Sequence, residues 1–124
     1  MPKKKTRYTD KELAQFDILL DTKLDQAHRQ LQFYIQQIAE MAENPDSKQK
    51  GLDDGTSTVE TERLYTMAAR QRKHVQHLEN AKIRIKNKAF GICRETGNLI
   101  SKERLKAVPH ATLSIDAKQS KKRR

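Results

Sequence analysis

The chain has 124 residues, of which 34% are charged and 35% hydrophobic, with no Trp and a formal net charge of +10. That apolar share is too small for a large globular core but is sufficient for the seam between two paired helices. A single Cys excludes an internal disulfide, no apolar run reaches membrane-spanning length, and the first residues lack the apolar stretch of a signal peptide, so the expectation is a cytoplasmic, monomeric protein with no membrane partner.

Residues 1–8 carry four positive charges (Lys3, Lys4, Lys5, Arg7) and read as a basic disordered tail. Thr9-Asp10-Lys11-Glu12 is a capping box, in which Thr9 can take the N3 amide and Glu12 can reach back. Apolar residues then recur at Leu13, Phe16, Leu20, Leu24, Ala27, Leu31, Tyr34, Ile38 and Met41. Steps of three and four make this a helical seam, and Asn44-Pro45 ends it because Pro disfavours helical geometry in the residue before it. At ~1.5 Å per residue the helix is about 50 Å long.

The turn that follows is strongly acidic and concentrates seven of the chain's 16 acids. Glu40, Glu43, Asp46, Asp53, Asp54, Glu60 and Glu62 stand there against Lys48 and Lys50 alone, and Pro, two Gly, Asn-Pro and Asp-Gly mark the tip at about 44–57. Ser57 with Glu60 offers a second capping box. Leu64, Met67, Ala68, Val75, Leu78, Ala81 and Ile85 form the seam of a second helix, interrupted at Gln71 and His74 and stopped by Phe90-Gly91. Two such stripes joined by a turn should pair antiparallel, making residues 9–89 a coiled-coil helical hairpin. His74 and His77 lie one turn apart, with His28 as a third donor on the first helix. Neighbouring surface His residues of this kind are more often incidental than metal-binding.

Residues 90–120 form a compact head of short pieces. Gly97-Asn98 is a tight-turn signal and predicts a short β-hairpin. Thr112 or Ser114 can cap a C-terminal helix through about Ser120, and residues 121–124 fray as a second basic tail. Residues 118–124 add five positive charges, so the tails hold nearly all of the net charge and suit weak, non-specific nucleic acid binding. No arrangement of nucleophile, base and orienting group supports an enzyme, and Cys93 reads as a small buried residue.

Phe90-Gly91-Ile92-Cys93, Arg104-Leu105-Lys106-Ala107-Val108-Pro109 and Leu113-Ser114-Ile115-Asp116-Ala117-Lys118 together resemble the finger of bacterial DksA/TraR-family proteins. The resemblance extends back through Ala69-Arg70-Gln71-Arg72. The family plan is a long coiled-coil hairpin followed by a small four-Cys zinc finger. Here Cys93 alone remains at the ligand positions; Thr96, Ser114 and Ala117 occupy the others. A structural zinc site needs four ligands, almost always Cys or His, and His110 is the only His in the head. The expectation is therefore a mainly α protein whose zinc-finger-like head is metal-free, without a cofactor, and held by Ile92, Leu99, Ile100, Leu105, Leu113 and Ile115.

What the resemblance implies for function is binding to RNA polymerase through its secondary channel, with the acidic coiled-coil tip directed at the active site. The family's tip pattern falls on Lys50-Gly51-Leu52-Asp53-Asp54-Gly55, matching at Asp53 and leaving Asp54 beside it. It also implies polymerase contacts at the basic cluster Arg70, Arg72 and Lys73, halfway along the second helix, and at Arg104 and Lys118. The family's alarmone positions fall on His77, Val108 and Lys118, of which one keeps a permanent charge, implying weak alarmone response or none. The alternative is a nucleic-acid-associated protein that acts through its basic tails and head.

Overall fold

The computed structural model describes residues 6–43 and 55–122, with the backbone alone at 55–58 and 120–122. Among the described residues four helices follow one another: α1 (Asp10–Glu43), α2 (Gly55–Lys86), α3 (Lys102–Ala107) and α4 (Ile115–Lys122). No described helix is long and apolar enough to cross a membrane.

The capping box starts α1 as its residues dictate. The Glu12 amide donates to Thr9 Oγ1 at 3.2 Å and the Thr9 amide donates to Glu12 Oε1 at 3.0 Å, so two orphan donors are satisfied reciprocally. The helix ends at Glu43, just before Asn44-Pro45. Helix α2 already runs at Gly55, so the backbone of Ser57 lies within it, and the expected Ser57 capping box falls outside the described side chains. Extension by a turn costs little once a helix is nucleated.

The other end of α2 departs from the expected stop at Phe90-Gly91. It closes at Lys86 through a Schellman motif: the Ala89 amide donates to the Arg84 carbonyl at 2.8 Å and the Lys88 amide to the Ile85 carbonyl at 3.0 Å. Lys88 takes the left-handed conformation there, with φ 59°. That position usually belongs to Gly, whose missing Cβ removes the steric cost.

The chain divides into two compact units, Met1–Leu24 with His77–Arg124, and Asp25–Gln76. In the first, the start of α1 runs antiparallel to the end of α2. Lys82 reaches both Asp17 and Asp21, while Lys88 reaches Asp10 at 3.4 Å. Leu20, Leu78, Phe90, Ile100 and Leu105 are its largest fully buried side chains together with Cys93. Each large apolar group contributes about 1.5–3 kcal/mol by leaving water. The second unit buries smaller residues, Ala27, Ala68 and Val75, and leaves Phe33, Val59 and Tyr65 more than half exposed. Its interior is correspondingly thin.

The head is not the β-hairpin that Gly97-Asn98 predicts. Among the described residues there is no strand, only one antiparallel bridge between Ile92 and Leu99. The Cys93 amide donates to the Asn98 carbonyl at 2.7 Å and the Ile100 amide to the Gly91 carbonyl at 2.7 Å. Between them the chain winds into a turn, with the Gly97 amide bonded back to the Cys93 carbonyl at 2.8 Å, so no second pair can form. Helix α3 then begins at Ser101, whose hydroxyl accepts from the Arg104 amide at 3.2 Å. Ser114, rather than Thr112, caps α4: its hydroxyl accepts from the Ala117 amide at 3.2 Å. Of the apolar residues expected to hold the head, Ile100 and Leu105 are fully buried, whereas Ile115 is 50% exposed at the start of α4.

Candidate functional site

Two turns of the head bring the four finger positions together. Cys93 is buried at the end of the Ile92–Leu99 bridge, and Thr96 lies on the turn after it. The Ser114 amide donates to Cys93 Sγ at 3.3 Å. Ala117 follows one turn into α4, with its methyl buried. Burial pushes the Cys93 thiol up, but hydrogen bonds from Thr96 and Ser114, through side chain and backbone, outweigh it and hold the thiol down to about 6. The arrangement is a finger knuckle in its backbone bonds and not in its donors.

The residues present do not fit a structural zinc ion. One thiol, two hydroxyls and a methyl replace four soft or imidazole donors, Ala117 offers no donor atom, and the Ser114 hydroxyl is engaged as a helix cap. Among the described residues no group of three or more His, Cys, Asp or Glu could hold a metal. The His74–His77–His28 set is not assembled either. The His77 ring instead stacks on His110, with centroids 5.5 Å apart and planes 14° from parallel.

Two arginines brace the loop that carries the last finger positions. Arg104 Nε donates to the Leu113 carbonyl at 2.8 Å, and Arg84 donates to the His110 carbonyl at 3.4 Å. Burial lowers the Arg84 guanidinium from its ordinary value. Arg104 is thus partly committed within the head, whereas Lys118 is exposed on α4. Arg70, Arg72 and Lys73 are exposed on α2 in the second unit. Asp53 and Asp54 lie outside the described residues, as does most of the tip.

Charge patterning assigns Tyr8 to the basic tail, yet the residue is 4% exposed. Its ring meets Phe16 edge-on at 5.5 Å, and Phe16 leans on Phe90 at 5.2 Å. An aromatic immediately before a capping box is the signal that could have found it, as the residue that fixes how the chain enters a helix.

A sequence profile described as the prokaryotic dksA/traR C4-type zinc finger matches residues 88–123, the span holding all four knuckle positions. The RNA polymerase-binding transcription factor DksA of Caulobacter vibrioides is 36% identical over 70 residues, 55% of this chain and 49% of that protein. General stress protein 16O of Bacillus subtilis is 27% identical over 82 residues, 66% of this chain and 49% of that protein. The structure of transcription factor DksA2 from Pseudomonas aeruginosa superposes with a TM-score of 0.80 at 22% identity, covering 90% of this chain and 83% of that one. The chain is similar to DksA/TraR-family proteins, in the sequence of its head and in its fold.

It spans about half the length of the curated relatives it matches. Its mainly helical fold is that of DksA2. Beside that family its head differs in chemistry rather than in plan. The C4 profile aligns over a head in which Thr96, Ser114 and Ala117 stand where ligands are called for.

Proposed function

We propose that this protein is a DksA/TraR-family transcription regulator that binds RNA polymerase through its secondary channel and has no enzymatic activity. The observation that carries the reading is the 36% identity to a protein named as an RNA polymerase-binding transcription factor. The acidic tip is directed at the polymerase active site, where Asp53 and Asp54 act on a magnesium ion whose preferred ligands are hard oxygens. The two long helices pair as a coiled coil that carries the tip inward. Arg70, Arg72 and Lys73, exposed on α2, supply contacts to the acidic surface of the polymerase, and Lys118 supplies another from the head. Co-purification with core polymerase at moderate salt tests the reading. A chain that elutes free of polymerase at about 150 mM salt, a Debye length of roughly 8 Å, defeats it.

The charge distribution favours a second activity, weak retention on nucleic acid through the tails. Deleting residues 1–7 and 121–124 should weaken DNA retention and reduce its salt dependence while leaving polymerase binding intact. Loss of both together would assign the tails to the polymerase interface.

A further inference from the structure

A head without its metal needs another closure, because so small a set of turns and short helices buries little apolar area. The residues that close it come from the start of the chain. The Tyr8 hydroxyl donates to the Ile100 carbonyl, and its ring lies edge-on to Phe16, which in turn packs on Phe90. Gly91 passes directly beneath the ring at φ +78°. A Cβ placed there would stand 2.5 Å from Tyr8 Cε2 and 3.1 Å from Leu105 Cδ1. No other residue type fits so close an approach in that conformation. Beside the ring, Lys102 Nζ meets Glu12 Oε2 at 2.5 Å, fastening the start of α3 to the capping box of α1.

We propose that Tyr8 is the clasp that closes the zinc-finger-like head in place of a metal. A four-ligand site would tie residues 93, 96, 114 and 117 to one another. The clasp instead ties Gly91 and Ile100 to the entry of α1, fixing the knuckle from outside through the two residues that flank the Ile92–Leu99 bridge. The remaining side is held by the Ser114–Cys93, Arg104–Leu113 and Arg84–His110 bonds. Closure thereby passes from a crosslink within the head to a contact between the head and the entry of α1. The inference stands whether or not the chain binds polymerase.

The test is thermodynamic coupling in the full-length chain. Tyr8→Ala should lower Tm by roughly 10 °C, the scale expected for emptying a buried aromatic site in a domain of this size. It should also remove hydrogen-exchange protection at the Cys93 and Ile100 amides. Tyr8→Phe, which keeps the ring and loses the hydroxyl, should lose a smaller part. Adding p-cresol should refill the cavity and raise the Tm of Tyr8→Ala but not of the parent. Restoring the ligands with Thr96→Cys, Ser114→Cys and Ala117→Cys and loading zinc should reduce the Tyr8→Ala loss by at least half. An equal loss with and without bound zinc would overturn the substitution of clasp for metal. If the four-cysteine variant does not load zinc, the cresol and exchange measurements decide. Absence of cresol rescue together with unchanged protection at the two amides overturns the proposal.

Discussion

The Ser114 amide donates to Cys93 Sγ at 3.3 Å, so the one remaining thiol accepts a hydrogen bond from the residue at the third ligand position. In a metal site that sulfur would be a thiolate bound to zinc. Purified protein is expected to contain no stoichiometric zinc by elemental analysis, and a chelator is expected to leave its Tm unchanged. One zinc per chain would contradict the donor chemistry of the head. Native Cys93 should also react slowly with iodoacetamide despite its lowered pKa, because the sulfur is buried and reactivity requires access.

Glu12 provides a pH dependence with a definite sign. Its carboxyl is held down from 4.5 to about 2, first by the Lys102 hydrogen bond and then by the Thr9 amide and hydroxyl. A carboxylate lowered in the folded state contributes stability that is present above its unfolded value and is lost as pH falls through the folded one. The stability difference between parent and Glu12→Gln should be full above 4.5 and shrink toward 2. Tm measured across that window checks it; a difference that stays constant would mean the capping geometry, not the charge, is what Glu12 supplies.

Lys88 is a site where a substitution should stabilise. A left-handed non-Gly residue costs about 1–2 kcal/mol, and Gly removes that cost. The Lys88–Asp10 ion pair lost in exchange joins two exposed side chains and is worth at most about 1 kcal/mol. Part of the gain is offset because Gly is freer in the unfolded chain. Lys88→Gly should therefore raise Tm by a few degrees or leave it level, as read by thermal denaturation. A clear fall would show that the Lys88 side chain holds the junction between α2 and the head.

Binding and effect on transcription should separate at the two ends of the proposed interface. Asp53→Asn with Asp54→Asn keeps size and turn propensity and removes charge, which matters most beside a metal-centred active site of low dielectric. This variant should bind polymerase within a few-fold of the parent and lose most of its effect on a sensitive promoter. Arg70→Ala with Arg72→Ala should lose binding first. Competition binding beside in vitro transcription at matched occupancy makes the comparison. Equal regulation by the double Asn variant would leave channel blockage as the source of the effect.

The elements that could be read from the residues alone were those with local causes. Thr9 and Glu12 start α1, Pro45 bounds its end, and Ser114 starts α4 because side chains and backbone within four residues settle each of them. The end of α2 was misread because Lys88 adopts a conformation that marks Gly at most helix ends, while Gly91 is spent on the approach of Tyr8. Helix α3 was missed although Ser101 is a legible cap, since its six residues carry too little periodicity to outweigh the turn signals around them. Tyr8 is harder to read: its place before the capping box hints at a packed ring, but its partners Ile100 and Gly91 are remote in sequence and the charged run before it masks the signal. Family resemblance located the knuckle residues Cys93, Thr96, Ser114 and Ala117, but what joins them now is hydrogen bonding that no spacing rule anticipates.

The Tyr8–Ile100 bond spans 92 residues. Loop closure over such a distance adds little free energy, since each doubling of length costs about 0.6 kcal/mol, but contacts this remote form late. The unit that contains them draws on both ends of the chain, while residues 25–76 are contiguous. During synthesis the contiguous unit can therefore assemble first, and Phe16 and Tyr8 wait uncovered until Phe90 and Ile100 emerge. A chain interrupted before residue 90 retains that apolar surface indefinitely and is open to proteolysis or chaperone capture. The clasp makes burial of the start of the chain depend on completion of nearly all the rest.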